Sequence, residues 1–449
     1  MSSNALFADL YQLTMLRAYF ELGMVEEAAF SLFVRKLPPR RNFLIACGLA
    51  DLLKEIESLR FDDDQLRYVR SLGDFPDSFL EWLREFRFTG DIYALPEGTP
   101  FFANEPILEV VAPIAQAQLI ETLVLNQIGL QTILASKAAR IVTAARGRPV
   151  ADFGARRAQG IDAATKGARA LYIGGVAATS NLAAGKAYGI PVSGTMAHSF
   201  VEACASEAEA FDAFARIFPQ TTLLVDTYDT LAGVAKVIAL SRSLGPSFKI
   251  RAVRLDSGDL DQLARESRRM LDDAGLTNVQ IVASGGLDED QIDRLTACNA
   301  PIDLFGVGTD LAVSSDAPAL DIAYKLVEYA GVGRMKLSTG KSSLPGRKQI
   351  FRSYRGQEAV YDVIGRHDES LAASPLLSSV MLSGRRSDDK VDDFDSMRSY
   401  AKGAIEALPL DHRSLAPPAA PYEVKISSKL AEYRQSVLDR LRPASKDGE

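Results

Sequence analysis

The middle third of the chain repeats one pattern, and that pattern leaves few folds open. Apolar runs at 149–153, 191–195, 222–226, 249–256, 279–284 and 302–307 recur about every 25–30 residues. Helix-like stretches separate them: one running through Ala170, then 206–218, 229–244, 259–274 and 288–298, most of them opening on Asp or Ser. Within 229–244, Leu231, Val234, Ala235 and Ile238 keep helical spacing; within 259–274, Leu260, Leu263, Ala264 and Leu271 do the same. A strand that is apolar on both faces belongs in a parallel sheet covered by helices. Asp or Ser ahead of an amphipathic run accepts hydrogen bonds from the first free amides of a helix. Successive strand–helix units therefore predict an α/β fold, and six or more in a row favour a βα barrel over an open sheet.

The flanks lack this rhythm, which divides the chain into segments 1–125, 126–320 and 321–449. In the first, 9–20 reads as a helix and 29–37 as a strand closed by Pro38-Pro39-Arg40-Arg41-Asn42. Residues 51–88 are charged and helical, with a break at 73–76. Short β-like runs from Gly90 to Val111 are cut by Pro96, Pro100 and Pro106, which predicts edge strands because proline cannot donate to a central ladder. In the third segment 335–352 reads as a lysine-rich hairpin region, and 385–398 as a charged, mobile loop. Pro417-Pro418 to Pro421 reads as a linker, 427–441 as a terminal helix and the last eight residues as disordered.

Composition excludes several classes. With 449 residues the chain buries enough surface to fold without metal or disulfide staples. Its three cysteines, Cys47, Cys204 and Cys298, stand far apart and form no CxxC, against a disulfide framework or a structural zinc site. A net charge of −7, from 51 basic and 58 acidic residues, disfavours a nucleic-acid binder but permits a local phosphate pocket. No apolar run reaches the roughly 18 residues of a membrane span, and Met1-Ser2-Ser3-Asn4 does not begin a signal peptide. The expectation is a soluble, cytoplasmic protein with no nucleic-acid or membrane partner.

Chemistry is expected where the strands end, since barrel active sites are built from the loops at the C-terminal ends of the strands. Those ends read Phe153-Gly154-Ala155-Arg156-Arg157, Gly194-Thr195-Met196-Ala197-His198-Ser199 and Asp226-Thr227-Tyr228-Asp229. Then follow Arg254-Leu255-Asp256-Ser257-Gly258-Asp259, Ser284-Gly285-Gly286 and Gly306-Val307-Gly308-Thr309-Asp310. One Ser-Gly-Gly alone would more often be a tight turn. Two glycine loops ending the last two strands point to a phosphate, because glycine lets the backbone approach an anion. Gly285 and Gly306 are then expected to tolerate no side chain. Neither loop matches GxGxxG or a Walker sequence, against dinucleotide and P-loop classes. Arg254 and Asp256, two apart on an extended strand, face the same side. They are either a structural ion pair or a pair that binds an anionic or aromatic substrate and ribose hydroxyls or magnesium. Arg156 and Arg157 supply charge for a second anion. His198 is a nucleophile or acid–base candidate; the plainer reading has it hydrogen-bonded to the Gly194–Thr195 turn. His367 and His412 lie in irregular segments and read as structural.

This ordered set, with Asp9-Leu10-Tyr11-Gln12-Leu13-Thr14-Met15, Phe33-Val34-Arg35-Lys36-Leu37-Pro38, Lys-Leu-Ser-Thr-Gly-Lys at 336–341 and Pro-Gly-Arg-Lys-Gln at 345–349, resembles the nicotinate phosphoribosyltransferase family over nearly the whole length. The resemblance implies an irregular (β/α) barrel of the type II phosphoribosyltransferases, packed with an α/β sandwich domain formed by the N- and C-terminal segments. It implies a homodimer with shared active sites. It implies that nicotinate and phosphoribosyl pyrophosphate give nicotinate mononucleotide and pyrophosphate, coupled to ATP hydrolysis with magnesium. By motif, His198 resembles the histidine that ATP phosphorylates, and Arg254 and Asp256 the residues at the pyridine ring and ribose. Ser284, Gly285, Gly286, Gly306, Gly308 and Thr309 resemble the cradle of the ribose 5-phosphate. Phe153 resembles the aromatic that stacks on the pyridine, Arg156 a phosphate or pyrophosphate ligand, and Tyr11 a residue lent by the partner subunit. Thr195, Arg157, Lys186 and Asp259 transfer more weakly, since nothing in their spacing fixes a role.

The implied chemistry suits these residues: pyrophosphate departure leaves an oxocarbenium-like ribosyl centre, which placed carboxylates stabilise. Magnesium prefers oxygen ligands and substrate phosphates, so no all-protein metal cage is expected. The alternatives are a nicotinamide phosphoribosyltransferase on the same fold, a Schiff-base aldolase barrel and a catalytically silent ligand-binding homologue. The aldolase needs a lysine at a strand end, whereas Lys249 begins its strand. Intact His198, Arg254 and Asp256 argue against the silent homologue.

Overall fold

The computed structural model describes residues 4–337, 343–387 and 393–442. The chain divides into a central unit, Leu134–Pro318, and a terminal unit made of Met1–Ile133 with Ala319–Glu449.

The central unit holds a six-stranded parallel sheet in the order Ala178–Thr179, Val150–Asp152, Leu304–Val307, Gln280–Ala283, Ala252–Leu255, Thr222–Leu224. The first of these strands in chain order, Val150–Asp152, lies beside the last, Leu304–Val307, as in the wall of a barrel built from consecutive strand–helix units. Val150, Val253, Ile281, Phe305 and Val307 are buried, so the apolar runs fill both faces as a parallel sheet requires. Asp229, Asp259 and Asp288 cap the helices Thr230–Leu244, Leu260–Asp273 and Glu289–Ala297 by accepting from amides two or three residues on. Each such cap contributes about 1 kcal/mol.

The sheet curls but does not close. Among the described residues the outer strands, Ala178–Thr179 and Thr222–Leu224, do not pair with each other. The run at 191–195, expected as a strand, makes only a single parallel bridge, Val192 to Thr179. Pro191 lacks an N–H to donate and Gly194 lacks a side chain to pack, so pairing does not propagate. Two short helices that the sequence reading missed, Leu182–Tyr188 and His198–Ala203, lie on either side of this bridge. The architecture is an irregular half-barrel.

The terminal unit carries a seven-stranded antiparallel sheet in the order Val332–Gly333, Ile322–Tyr329, Glu27–Val34, Leu108–Pro113, Asp91–Ala94, Ser378–Leu382, Arg385–Arg386. Its three central strands come from the N-terminal segment and its two outer pairs from the C-terminal one: Phe33 pairs with Ala323 and Ser31 with both Lys325 and Glu109. A four-stranded sheet, Ser374–Pro375, Lys348–Arg355, Glu358–Arg366 and Glu423–Ile426, completes the sandwich. Three expectations are corrected here. Asp91–Ala94 and Leu108–Pro113 are interior strands, not edges, because Pro96 and Pro106 fall between the ladders and leave them intact. Among the described residues the hairpin lies at 348–366 rather than 335–352, its turn made by Gly356 at φ +63°. Within the charged stretch 385–398, Asp393 caps a helix from Phe394 to Glu406, so only part of the stretch is loop.

The helices Leu10–Glu21 and Ser428–Leu441 lie where the sequence places them. Residues 338–342 of the lysine-rich motif, 388–392 of the charged stretch and the terminal 443–449 lie outside the described residues. Lys348 of Pro-Gly-Arg-Lys-Gln is buried against Glu109 Oε1 at 3.1 Å, and Arg352 makes a buried pair with its cross-strand partner Asp362. No helix of the described residues is long and apolar enough to cross a membrane.

Candidate active site

The strand Ala252–Leu255 sets the centre of the site. Alternate residues of an extended strand share a face, so Leu255 enters the core while Arg254 and Asp256 turn to the mouth. Arg254 Nη2 stands 3.5 Å from Asp256 Oδ1, and Nη1 donates to Thr195 Oγ1 at 2.8 Å. Nε is buried and donates to no described residue. The guanidinium carbon lies 5.7 Å from the centre of the Phe153 ring, within cation–π range. Burial pushes the Arg254 pKa down; Asp256 and Asp226 oppose the shift, and the neighbouring charge of Arg156 adds to it. This cation is under-compensated and repelled by a second one. An arriving anion relieves both conditions.

Asp256 is the hub of the remaining contacts. Oδ1 accepts from Ser284 Oγ, at the end of the next strand, and Oδ2 lies 4.0 Å from His198 Nε2. The Asp256 amide donates to Asp226 Oδ2 at 2.9 Å, and Ser257 Oγ donates to the same oxygen at 2.6 Å. Asp226 Oδ1 is buried and accepts from no described residue. His198 opens its short helix and pairs through Nδ1 with Thr227 Oγ1 at 3.1 Å, not with the Gly194–Thr195 turn. Three strand ends thus meet around Asp256, carrying Asp226–Thr227, Arg254–Asp256 and Ser284, together with the segment Thr195–His198 that follows the Val192 bridge.

The aromatic wall has its own support. The Phe153 ring lies against Gly306, where an added Cβ would come within 2.7 Å of ring carbon Cδ2. Asp152 is buried and accepts from Thr179 Oγ1 and the Gly154 amide, each at 2.7 Å. Burial pushes its carboxyl up, against those two hydrogen bonds. These contacts fix the backbone on both sides of Phe153.

The glycine loops have different reasons for being glycine. Gly285 has φ +91° and an added Cβ would overlap the carbonyl of Asp256. Gly306 is buried beneath Phe153. The protein's own packing therefore excludes a side chain at both positions, whether or not an anion binds. Gly286, with φ +64°, and Gly308 face open space, the nearest atom to a Gly308 Cβ being Phe153 O at 3.7 Å. Gly308→Ala is thus the clean probe. It is expected to leave the melting temperature within about 2 °C and raise the KM for the phosphorylated substrate about tenfold. Gly285→Ala should cost at least about 1–2 kcal/mol of stability from its backbone conformation alone. An unchanged KM in Gly308→Ala would remove that loop from the phosphate site.

The other candidates separate from this cluster. Arg156 and Arg157 are exposed on the turn Ala155–Arg157, beside the mouth. Lys186 is exposed on Leu182–Tyr188, Thr309 opens the helix Thr309–Val313, and Asp259 is committed to its cap. Lys249 is exposed and precedes its strand, so no lysine serves as an aldolase base there. Tyr11 belongs to the terminal unit, where it is 46% exposed on Leu10–Glu21 and burial, then Glu121, raises its pKa. His412 packs edge-on against Phe102 and Tyr422, which agrees with a structural role. Sequence reasoning quoted Asp226 and Thr227 among the strand ends without giving them a role, and missed Asp152. Their signal was position alone: each stands at or just past a strand end.

Two family models match the chain. Residues 6–129 match the family described as nicotinate phosphoribosyltransferase (NAPRTase) N-terminal domain, and residues 149–360 match the nicotinate phosphoribosyltransferase (NAPRTase) family. A nicotinate phosphoribosyltransferase of Mycobacterium tuberculosis is 55% identical over 441 residues, covering 98% of this chain and 94% of that protein. One of Bacillus subtilis is 42% identical over 379 residues, covering 82% and 77% respectively. The crystal structure of human nicotinic acid phosphoribosyltransferase aligns with a TM-score of 0.85 at 28% identity, over 96% of this chain and 99% of that one.

Proposed function

The chain belongs to the nicotinate phosphoribosyltransferase family, and from that premise we propose that it joins nicotinate to phosphoribosyl pyrophosphate, driven by ATP through phosphorylation of His198. The observation that carries the choice of substrate is the Arg254 guanidinium, buried over the Phe153 ring with Nε unpaired. A flat aromatic acid fits that slot: its ring stacks on Phe153 and its carboxylate neutralises Arg254. Nicotinamide would leave the guanidinium uncompensated, which is why it ranks second.

In the proposed reaction the ring nitrogen of nicotinate attacks C1 of the ribose. The N–C1 bond forms as the C1–O bond to pyrophosphate breaks, and the bonding pair leaves with pyrophosphate. Positive charge grows on the ribosyl centre meanwhile, as in glycoside cleavage. The Asp256 carboxylate, held by Ser284, stabilises that charge. Gly285, Gly286, Gly308 and Thr309 hold the 5-phosphate, Ser284 and Gly306 acting through Asp256 and Phe153. Arg156 meets the pyrophosphate, with Arg157 and Lys186 as further cations. Magnesium fits the acidic side of the cluster: Asp226 Oδ1, buried without a hydrogen bond, and Asp256 would hold it jointly with pyrophosphate oxygens. Bound there it would neutralise the leaving group.

For the ATP step, Nδ1–H of His198 donates to Thr227, which leaves the lone pair on Nε2. Nε2 attacks the γ-phosphorus, the N–P bond forms and ADP departs with the electrons of the broken P–O bond. Thr195 fixes Arg254 during both steps. We place the enzyme in the cytoplasm as a homodimer in which Tyr11 of one subunit completes the pocket of its partner.

The test is a product assay with nicotinate, nicotinamide and quinolinate, each with and without ATP. The expected result is mononucleotide from nicotinate alone, with ATP lowering the KM for phosphoribosyl pyrophosphate. Nicotinamide turnover equal to that of nicotinate would overturn the substrate assignment, and binding without turnover by titration would favour the silent homologue.

A further inference from the structure

Two loops that share one phosphate must be held at one separation. The strands that end in them pair side by side, Val282 with Leu304 and Ala283 with Phe305, and beyond the strand ends a buried ammonium ties the segments that follow. Lys137 lies in the long helix Glu121–Ala144, whose last twelve residues carry two charged side chains, Lys137 and Arg140. Its side chain is 1% exposed, and Nζ reaches Glu289 Oε2 at 2.5 Å, Asp310 Oδ2 at 2.6 Å and Asp316 Oδ1 at 3.0 Å. The ammonium donates to Glu289 and Asp316, and Asp310 Oδ2 closes the ring of three carboxylates as an ion pair. Glu289 is three residues past Gly286 and begins the helix Glu289–Ala297. Asp310 directly follows Thr309. Arg140 Nε holds the other Glu289 oxygen at 3.0 Å.

Stability does not explain this arrangement. Replacing a buried ion cluster by well-packed apolar residues is often neutral or stabilising, because desolvating the charges costs so much. What the charges supply is geometry: an ammonium with three carboxylates has one favourable position, whereas methyl groups slide. Burial opposes the charge on Lys137, yet its bonds to Asp310 and Glu289 hold its pKa above the ordinary lysine value. Glu289 is held below the usual carboxylate range by Lys137 and Arg140 against the effect of its own burial. Both shifts keep the Lys137–Glu289 pair charged.

We propose that Lys137 is a positioning residue for phosphate recognition, clamping the segments that follow both glycine loops so that Gly285–Gly286 and Gly308–Thr309 converge on one phosphate. The inference rests on assigning those loops to the 5-phosphate. Lys137 itself touches no substrate.

The experiment measures ribose 5-phosphate binding by calorimetry, together with steady-state kinetics, on the wild type, Asp310→Asn, Asp316→Asn and Lys137→Met. Asp310→Asn frees one loop and is expected to weaken ribose 5-phosphate binding about tenfold. The KM for phosphoribosyl pyrophosphate should rise in proportion, while the KM for nicotinate and kcat stay within about threefold of wild type. Asp316→Asn removes a charge from the same ammonium without freeing a glycine loop, and binding should stay within about twofold of wild type. Lys137→Met should weaken binding at least as much as Asp310→Asn. If it fails to fold, Asp310→Asn decides. Wild-type binding in a folded Asp310→Asn overturns the clamp, and so does equal weakening by Asp316→Asn. If the wild-type protein binds no ribose 5-phosphate, the loop assignment falls first and the clamp with it.

Discussion

Replacing His198 with alanine is expected to give a folded protein that hydrolyses no ATP and retains only slow, ATP-independent nucleotide synthesis. The folding half follows from what the imidazole touches. Its side chain is 39% exposed, and its hydrogen bond is to the Thr227 hydroxyl, itself near solvent. Losing one such bond costs about 0.5–1.5 kcal/mol, too little to unfold a domain of this size. The functional half follows from charge. A phosphoryl group brings about two negative charges and three acceptor oxygens, next to Asp256 and within the field of Arg254 and Arg156. Such a change reorders the cations at the mouth and alters affinity for an anionic substrate more than it alters the chemical step. The variant should thus show one apparent affinity for phosphoribosyl pyrophosphate whether ATP is present or absent, where the wild type shows two. Incubation with γ-labelled ATP should leave acid-labile label on the wild type and none on the variant. Equal labelling of both would put the phosphate on another residue and end the proposed coupling.

The sequence carried the rhythm of the central unit because each strand there is buried on both faces and each helix has a capping aspartate. Both are local facts that leave marks in composition. It carried the strand-end residues for the same reason: Arg254 and Asp256 face one way because strands alternate. The bridge at Val192 was not legible as such, since whether a short Pro- and Gly-containing run becomes a strand depends on a neighbour that sequence does not show. The interior position of Asp91–Ala94 was hidden by prolines that turned out to stand between ladders. The reason for Gly285 was hidden too. Only the fold brings the Asp256 carbonyl against it, so a glycine that looked like an anion's requirement is first a packing requirement. Lys137 left a trace that went unread: with Arg140, it is a charge on an otherwise apolar half of a helix, and buried lysines are rare unless paired.

Converting Asp256 to asparagine is expected to be the most damaging isosteric change in the site. Asparagine keeps the shape, and its carbonyl can still accept from Ser284 and Arg254, whose bonds now end on one Asp256 oxygen. The backbone also stays in place, because the amide at this position is held by Asp226. Stability should therefore change by no more than about 1 kcal/mol, as befits a side chain 32% exposed with a long, 3.5 Å contact to its cation. What vanishes is one negative charge beside the carbon that becomes cationic. Removing one group aimed at transition-state charge costs about 10²–10³ in kcat, or about 2.7–4 kcal/mol. The KM for nicotinate should not rise, since Arg254 loses its counter-charge and attracts the substrate carboxylate more strongly. A purely structural Asp256 predicts the reverse: a lower melting temperature, a raised KM for both substrates and a kcat within a few-fold of wild type. Rate and melting curves on the one variant distinguish the two. A near-normal kcat would move the stabilising charge to another carboxylate, with Asp226, whose Oδ1 is buried and unpaired beside the cluster, next in line.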